Sequence, residues 1–98
     1  MGNVKARNVV GYEGALQAGD FWITAPNPHE GNARRLTFIC PCGCGSYAGI
    51  KIRDDGQNVE GAWGWDRNEM EPTTTPSIQI MAGCRWHGFL TKGVFVSC

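Results

Sequence analysis

Along this chain the apolar residues fall in short runs of β-branched and aromatic character, and no sustained helical period runs through any stretch. Runs broken by glycine and proline predict strands over Asp20 to Thr24, Arg35 to Ile39, Tyr47 to Ile52, Ala62 to Asp66 and Ser77 to Met81. A closing pair, Gly88 to Leu90 with Val94 to Val96, takes its turn from Thr91-Lys92-Gly93. Helix is confined to one turn over Glu13 to Ala18, which Gly19 would stop. Asp54 to Asn58 reads as a loop, and so does Glu71 to Pro76, where two prolines bracket a threonine run. The expected fold is all-β: one small domain over residues 1–98, a twisted sheet or sandwich, with residues 1–19 as a peripheral segment.

A chain of 98 residues buries a modest share of its surface, so a covalent or metal staple is expected. Cysteine supplies the means. The count is five, and three sit at alternate positions in Cys40-Pro41-Cys42-Gly43-Cys44, too close to pair easily with one another as disulfides. A metal ion explains them better than buried thiols do, and zinc suits a sulfur-rich set that offers no oxygen ligands. Two cysteines from this run and two from the later segment, Cys84 and Cys98, would complete a tetrahedral site. Three cysteines with His87 would do so equally well, because Cys84-Arg85-Trp86-His87 has ligand-like spacing, and spacing alone does not separate the two sets.

Other metal chemistries fit less well. The segment Cys84 to Phe89 is similar to the second half of a Rieske motif, but the place of the first half holds cysteines and no histidine. A cluster on three cysteines and one histidine is the remaining iron-sulfur option. His29-Glu30 followed by Pro41-Cys42-Gly43-Cys44 has the residue types of a zinc nucleobase deaminase at the wrong spacings.

Charge narrows the partners. Formal net charge is zero, and the basic residues are dispersed among acidic ones, which argues against a nucleic-acid footprint. No apolar run approaches the length of a bilayer span, and the segment Met1 to Arg7 lacks the apolar core of a signal peptide. Gly2 is followed by alanine at position 6, where a myristoylation signal has serine or threonine. The expectation is a soluble cytoplasmic protein whose thiolates are kept reduced.

The ordered set F-I-C-P-C-G-C-G, W-G-W-D, P-T-T-T-P-S-I and C-R-W-H-G-F-L-T-K-G-V-F-V-S-C resembles the BubE-like family over about residues 20 to 98. Members occur in phage genomes and beside bacterial ubiquitin-like conjugation operons, where they are regarded as serine peptidases that process a ubiquitin-like protein. The resemblance implies Ser77 as nucleophile and His87 as its base. It also implies four cysteines on zinc, drawn here from Cys40, Cys42, Cys44, Cys84 and Cys98, with the histidine left free. A third, orienting carboxylate has three candidates in Asp66, Glu69 and Glu71. Trp63 and Trp65 alternate on one strand face and read as core residues.

Two functions follow as expectations. One is a zinc-stabilised serine peptidase that takes the extended C-terminal tail of a ubiquitin-like protein, with backbone N–H groups receiving the oxyanion. The other is a non-enzymatic phage accessory or virion-associated module in which zinc holds an interaction surface for another small protein. They differ on one observable, whether Ser77 Oγ lies within hydrogen-bond reach of a His87 nitrogen that binds no metal.

Overall fold

The computed structural model describes residues 3–54, 61–80 and 85–98. Gly2, loop residues 55–58, Met81 and Cys84, each part of an expectation above, lie outside the described residues. The strands are β1 (Val4–Lys5), β2 (Arg7–Asn8), β3 (Asp20–Ile23), β4 (Arg34–Ile39), β5 (Tyr47–Asp54), β6 (Trp63–Trp65), β7 (Thr74–Thr75), β8 (Ile78–Gln79), β9 (His87–Thr91) and β10 (Val94–Ser97). A single helical turn over Gly11–Gly14 and a 3-10 turn over Pro28–Glu30 complete the described elements. The fold is all-β, as the patterning indicates.

Two sheets share the core. One is four-stranded, in the order β1-β10-β9-β8, and the other six-stranded, in the order β2-β3-β4-β5-β6-β7. Ala6 separates β1 from β2, and Pro76-Ser77 separates β7 from β8, so each edge of the small sheet continues directly into an edge of the large one. The result is a curled mixed sheet, antiparallel except at β2–β3 and β5–β6. Phe21, Leu36, Phe38, Ile52, Ile78, Leu90 and Phe95 are fully buried inside it. Leu36, Ile52, Leu90 and Phe95 alternate with less buried neighbours, the period expected when a strand buries one face, whereas Phe21 and Phe38 each have a second buried residue beside them, Asp20 and Ile39.

Aromatic rings join the two sheets at one end. Phe38 of β4 lies 5.0 Å from Phe95 of β10, and Trp86 meets Phe95 edge-on at 5.8 Å and Phe38 at 6.5 Å, between ring centroids. Such tilted and edge-to-face pairs add roughly 0.5–1.5 kcal/mol each beyond the area they bury.

The N-terminal residues depart most from the sequence reading. The segment taken as peripheral provides β1 and β2, whose short, polar runs give no clear strand signal. Ala6 between them is buried, and its N–H donates to Gly93 O at 2.8 Å. The helical turn begins earlier than Glu13 and does not extend to Ala18. The Leu16 and Gln17 amides donate instead to the Asp20 carboxylate, at 2.8 and 3.1 Å, which withdraws them from a helical ladder. Gly19 serves a different purpose from a helix stop: it sits at φ 89°, and a Cβ there would lie 2.6 Å from Lys5 O. Glycine is therefore what lets the β1–β2 segment pass against the start of β3.

Asp20 locks this arrangement. Its carboxylate is fully buried and accepts Arg7 Nε at 2.9 Å and Nη2 at 2.6 Å, in addition to the two amides. The Arg7 hydrogen bonds hold the carboxyl below the ordinary carboxylate range; burial opposes them, and the Leu16 and Gln17 amides reinforce them. A carboxyl depressed in the folded state stabilises the protein above its unfolded value, and that contribution disappears as pH falls through the folded value. Thermal melts against pH should therefore show stability falling from about pH 4 downward. Asp20→Asn should flatten that limb and reduce neutral-pH stability by roughly 1–3 kcal/mol. An unchanged acid limb in the variant would remove Asp20 from this role.

Candidate active site and cysteine cluster

The start of β9 alternates strictly: Trp86 is buried, His87 exposed, Gly88 buried, Phe89 exposed and Leu90 buried. Gly88 is required at its position, because a Cβ there would collide with Val96 O and the Trp86 ring. The β8–β9 register pairs Ile78 with Gly88 and Gln79 with His87. With Ile78 buried in the core, Ser77 and Gln79 fall on the outward face that carries His87 and Phe89. Ser77 and His87 are thus diagonal neighbours across one strand pair, a spacing within reach of a long side chain.

Their side chains meet. His87 Nε2 lies 3.1 Å from Ser77 Oγ, with the hydrogen-bond direction set by the imidazole tautomer. Both residues are also held through their backbones. Trp63 Nε1 donates to Ser77 O at 3.1 Å, and Cys98 N donates to His87 O at 3.0 Å. Trp63 is half-buried against the core, as its alternation with Trp65 indicates. Its indole contact with Ser77 is a positioning role that the sequence alone does not reveal. The alternating W-G-W run is its sole signal.

None of the three carboxylates named from sequence bonds to His87 among the described residues. Asp66 Oδ1 accepts the amides of Asn68, at 3.0 Å, and Thr73, at 3.2 Å, so it shapes its own loop. The Glu69 carbonyl accepts Asn8 Nδ2 at 2.8 Å, and Glu71 lies beside Gly93. The described geometry is a serine–histidine pair.

The cysteine run forms a separate group at the end of β4. Cys40 N donates to Ser46 O at 2.8 Å, Gly43 N donates to Cys40 O at 3.2 Å, and Gly43 and Gly45 take φ of 90° and 83°. This tight turn places the sulfurs of Cys40, Cys42 and Cys44 within 4.8 Å of one another, with Cys40 and Cys42 at 3.3 Å. The 3.3 Å gap far exceeds a disulfide bond of about 2.05 Å. It is close to the spacing of about 3.8 Å that Zn–S bonds of about 2.3 Å give in a tetrahedron. The three sulfurs can hold a metal ion. Their exposure rises along the turn, from buried Cys40 through half-buried Cys42 to exposed Cys44, so the group opens outward. Neither His87 nor Cys98 belongs to this cluster.

Trp63→Phe keeps the ring and removes the N–H that holds Ser77 O. Urea unfolding should show a loss of about 1 kcal/mol, the worth of one ordinary hydrogen bond. No measurable change would mean that this contact does not hold the Ser77 backbone.

No curated protein and no solved structure matches the chain significantly. The model of one family, described as bacterial ubiquitination-like system serine protease, matches residues 10–98. That match takes in the serine–histidine pair, Trp63 and all the cysteines, and the chain belongs to the BubE family.

Proposed function

We propose that this protein is a serine peptidase acting on the C-terminal tail of a ubiquitin-like protein, with Ser77 as nucleophile and His87 as general base. The observation that carries the reading is the 3.1 Å contact between His87 Nε2 and Ser77 Oγ. A serine hydroxyl is a weak nucleophile until a neighbouring base takes its proton. As Ser77 Oγ bonds to the substrate carbonyl carbon, its proton passes to His87 Nε2, which then delivers it to the departing amine. Water, activated by the same nitrogen, releases the acyl group in reverse order. His87 is available for this work because it is outside the sulfur cluster.

The sulfur cluster fits a structural zinc site. Cys40, Cys42 and Cys44 supply three thiolates, and Cys84 from the later segment supplies the fourth. The bound ion would add folding energy to a small core rather than take part in bond cleavage. The proposed partner is a ubiquitin-like protein, and the family description supports the choice.

Ser77→Ala should remain folded and retain its metal, while cleavage of a ubiquitin-like precursor, followed by mass, falls roughly a millionfold. His87→Ala should give the same folded, inactive protein. Cleavage at the wild-type rate by Ser77→Ala would refute the serine mechanism. Loss of metal from His87→Ala would return the histidine to the ligand set.

Elemental analysis should find one zinc per chain, and chelation should lower the melting temperature along with the folded fraction. Stoichiometric iron, or a melt indifferent to chelation, would overturn the structural-zinc reading.

A further inference from the structure

Resting on the serine–histidine reading, we propose that an extended segment of the substrate pairs with the open side of β8 at Gln79. The same segment sets an apolar side chain on Phe89 beside the scissile bond. Antiparallel ladders alternate between residues that face the partner strand and residues that face away. Ile80 N donates to Trp86 O at 2.8 Å, so positions 78 and 80 carry the bonds to β9. Gln79, between them, turns its N–H and C=O to the other side. Among the described residues β8 is the edge of its sheet, and no strand occupies that side.

The open stretch has a defined beginning. Ser77 turns its carbonyl the same way as Gln79, and Trp63 Nε1 already satisfies it. Among the described residues, a peptide strand therefore finds its nearest vacant donor and acceptor at Gln79, two residues from the nucleophile. Pairing an incoming strand with such an edge is a recurrent way to hold an extended peptide, with alternate side chains supplying specificity.

Phe89 supplies the side-chain contact. Continuing the Ile78–Gly88 pairing by one residue sets Phe89 across from Ser77 on the outward face. Phe89 is 46% exposed, and its cross-strand neighbour on β10 is half-buried Val96. An aromatic and a β-branched residue thus form an apolar platform against the reactive pair, where Gln79 and His87 are polar. A hydrophobic substrate side chain beside the scissile bond is the complementary partner, and a carboxylate laid on this apolar platform would lose hydration.

The test uses three reagents that trap serine nucleophiles: a small fluorophosphonate and two peptidyl diphenyl phosphonates, one with a benzyl and one with a carboxyethyl side chain. Wild-type protein should react at Ser77 roughly ten- to a hundredfold faster with the benzyl reagent than with the carboxyethyl one. Phe89→Ala should bring that ratio near one, and Phe89→Leu should restore much of it. Gln79→Pro removes the outward N–H without touching a ladder bond, a change edge strands tolerate. It should slow both peptidyl reagents relative to the fluorophosphonate measured in the same variant. Retention of the benzyl preference by Phe89→Ala, or unchanged relative rates in Gln79→Pro, would overturn this proposal while leaving the nucleophile in place. If the fluorophosphonate fails to modify Ser77 in the wild type, the serine reading falls and this inference falls with it.

Discussion

The burial of Trp86 is the constraint on which the rest of the site depends. Its ring fits edge-on against Phe95 and Phe38, so one side chain touches a strand of each sheet. The indole N–H is satisfied by Ser97 Oγ at 2.9 Å, which avoids an orphaned donor in the core. With that ring fixed inward, strand alternation forces His87 outward and Gly88 inward. The absence of a side chain at Gly88 is what gives the ring its space. A residue whose role is packing thus decides where the imidazole points.

Ser77 is fixed by a different constraint, the passage of the chain from one sheet to the other. Thr75 ends β7 in the large sheet and Ile78 begins β8 in the small one, so Ser77 stands on the corner between them. Trp63, from the large sheet, holds its carbonyl, while Ile78 anchors the next position in the core. The two partners of the pair are therefore set by separate packing events that meet at 3.1 Å. Groups held this way keep their geometry without cost at the moment of reaction, and misplacement by about 1 Å can lower a rate on the order of a hundredfold.

The central strands were legible in the sequence because their alternation is strong. Arg35 to Ile39 and Tyr47 to Ile52 lie within the observed β4 and β5, and the Thr91-Lys92-Gly93 turn stands where expected. Strands of two residues carry too few positions to show a period, which is why β1 and β2 escaped notice and β7 read as a loop. The helical turn was misplaced because a local side chain, the Asp20 carboxylate three and four residues further on, claimed the amides that backbone propensity would have given to a helix. The cysteine cluster was readable as residue types at close spacing. Ser77 and His87 were not: nothing local marks a serine after proline, and the pairing depends on a register that periodicity cannot supply. The likeness of several ordered motifs to a family singled them out.

The sulfur cluster and the serine–histidine pair are separate groups, but the aromatic cluster connects them through the chain. Phe38 lies two residues before Cys40, and Trp86 lies one residue before His87, and these two rings touch. Movement at the end of β4 would therefore be transmitted to the start of β9 through close-packed rings, which resist gradual deformation. This gives a physical reason for a structural ion to sit at that end of the molecule. An ion holding the Cys40 turn would restrain Phe38, Phe38 restrains Trp86, and Trp86 sets the direction of His87. The histidine would benefit from such an ion without being bound to it, and its Nε2 would stay with Ser77 Oγ.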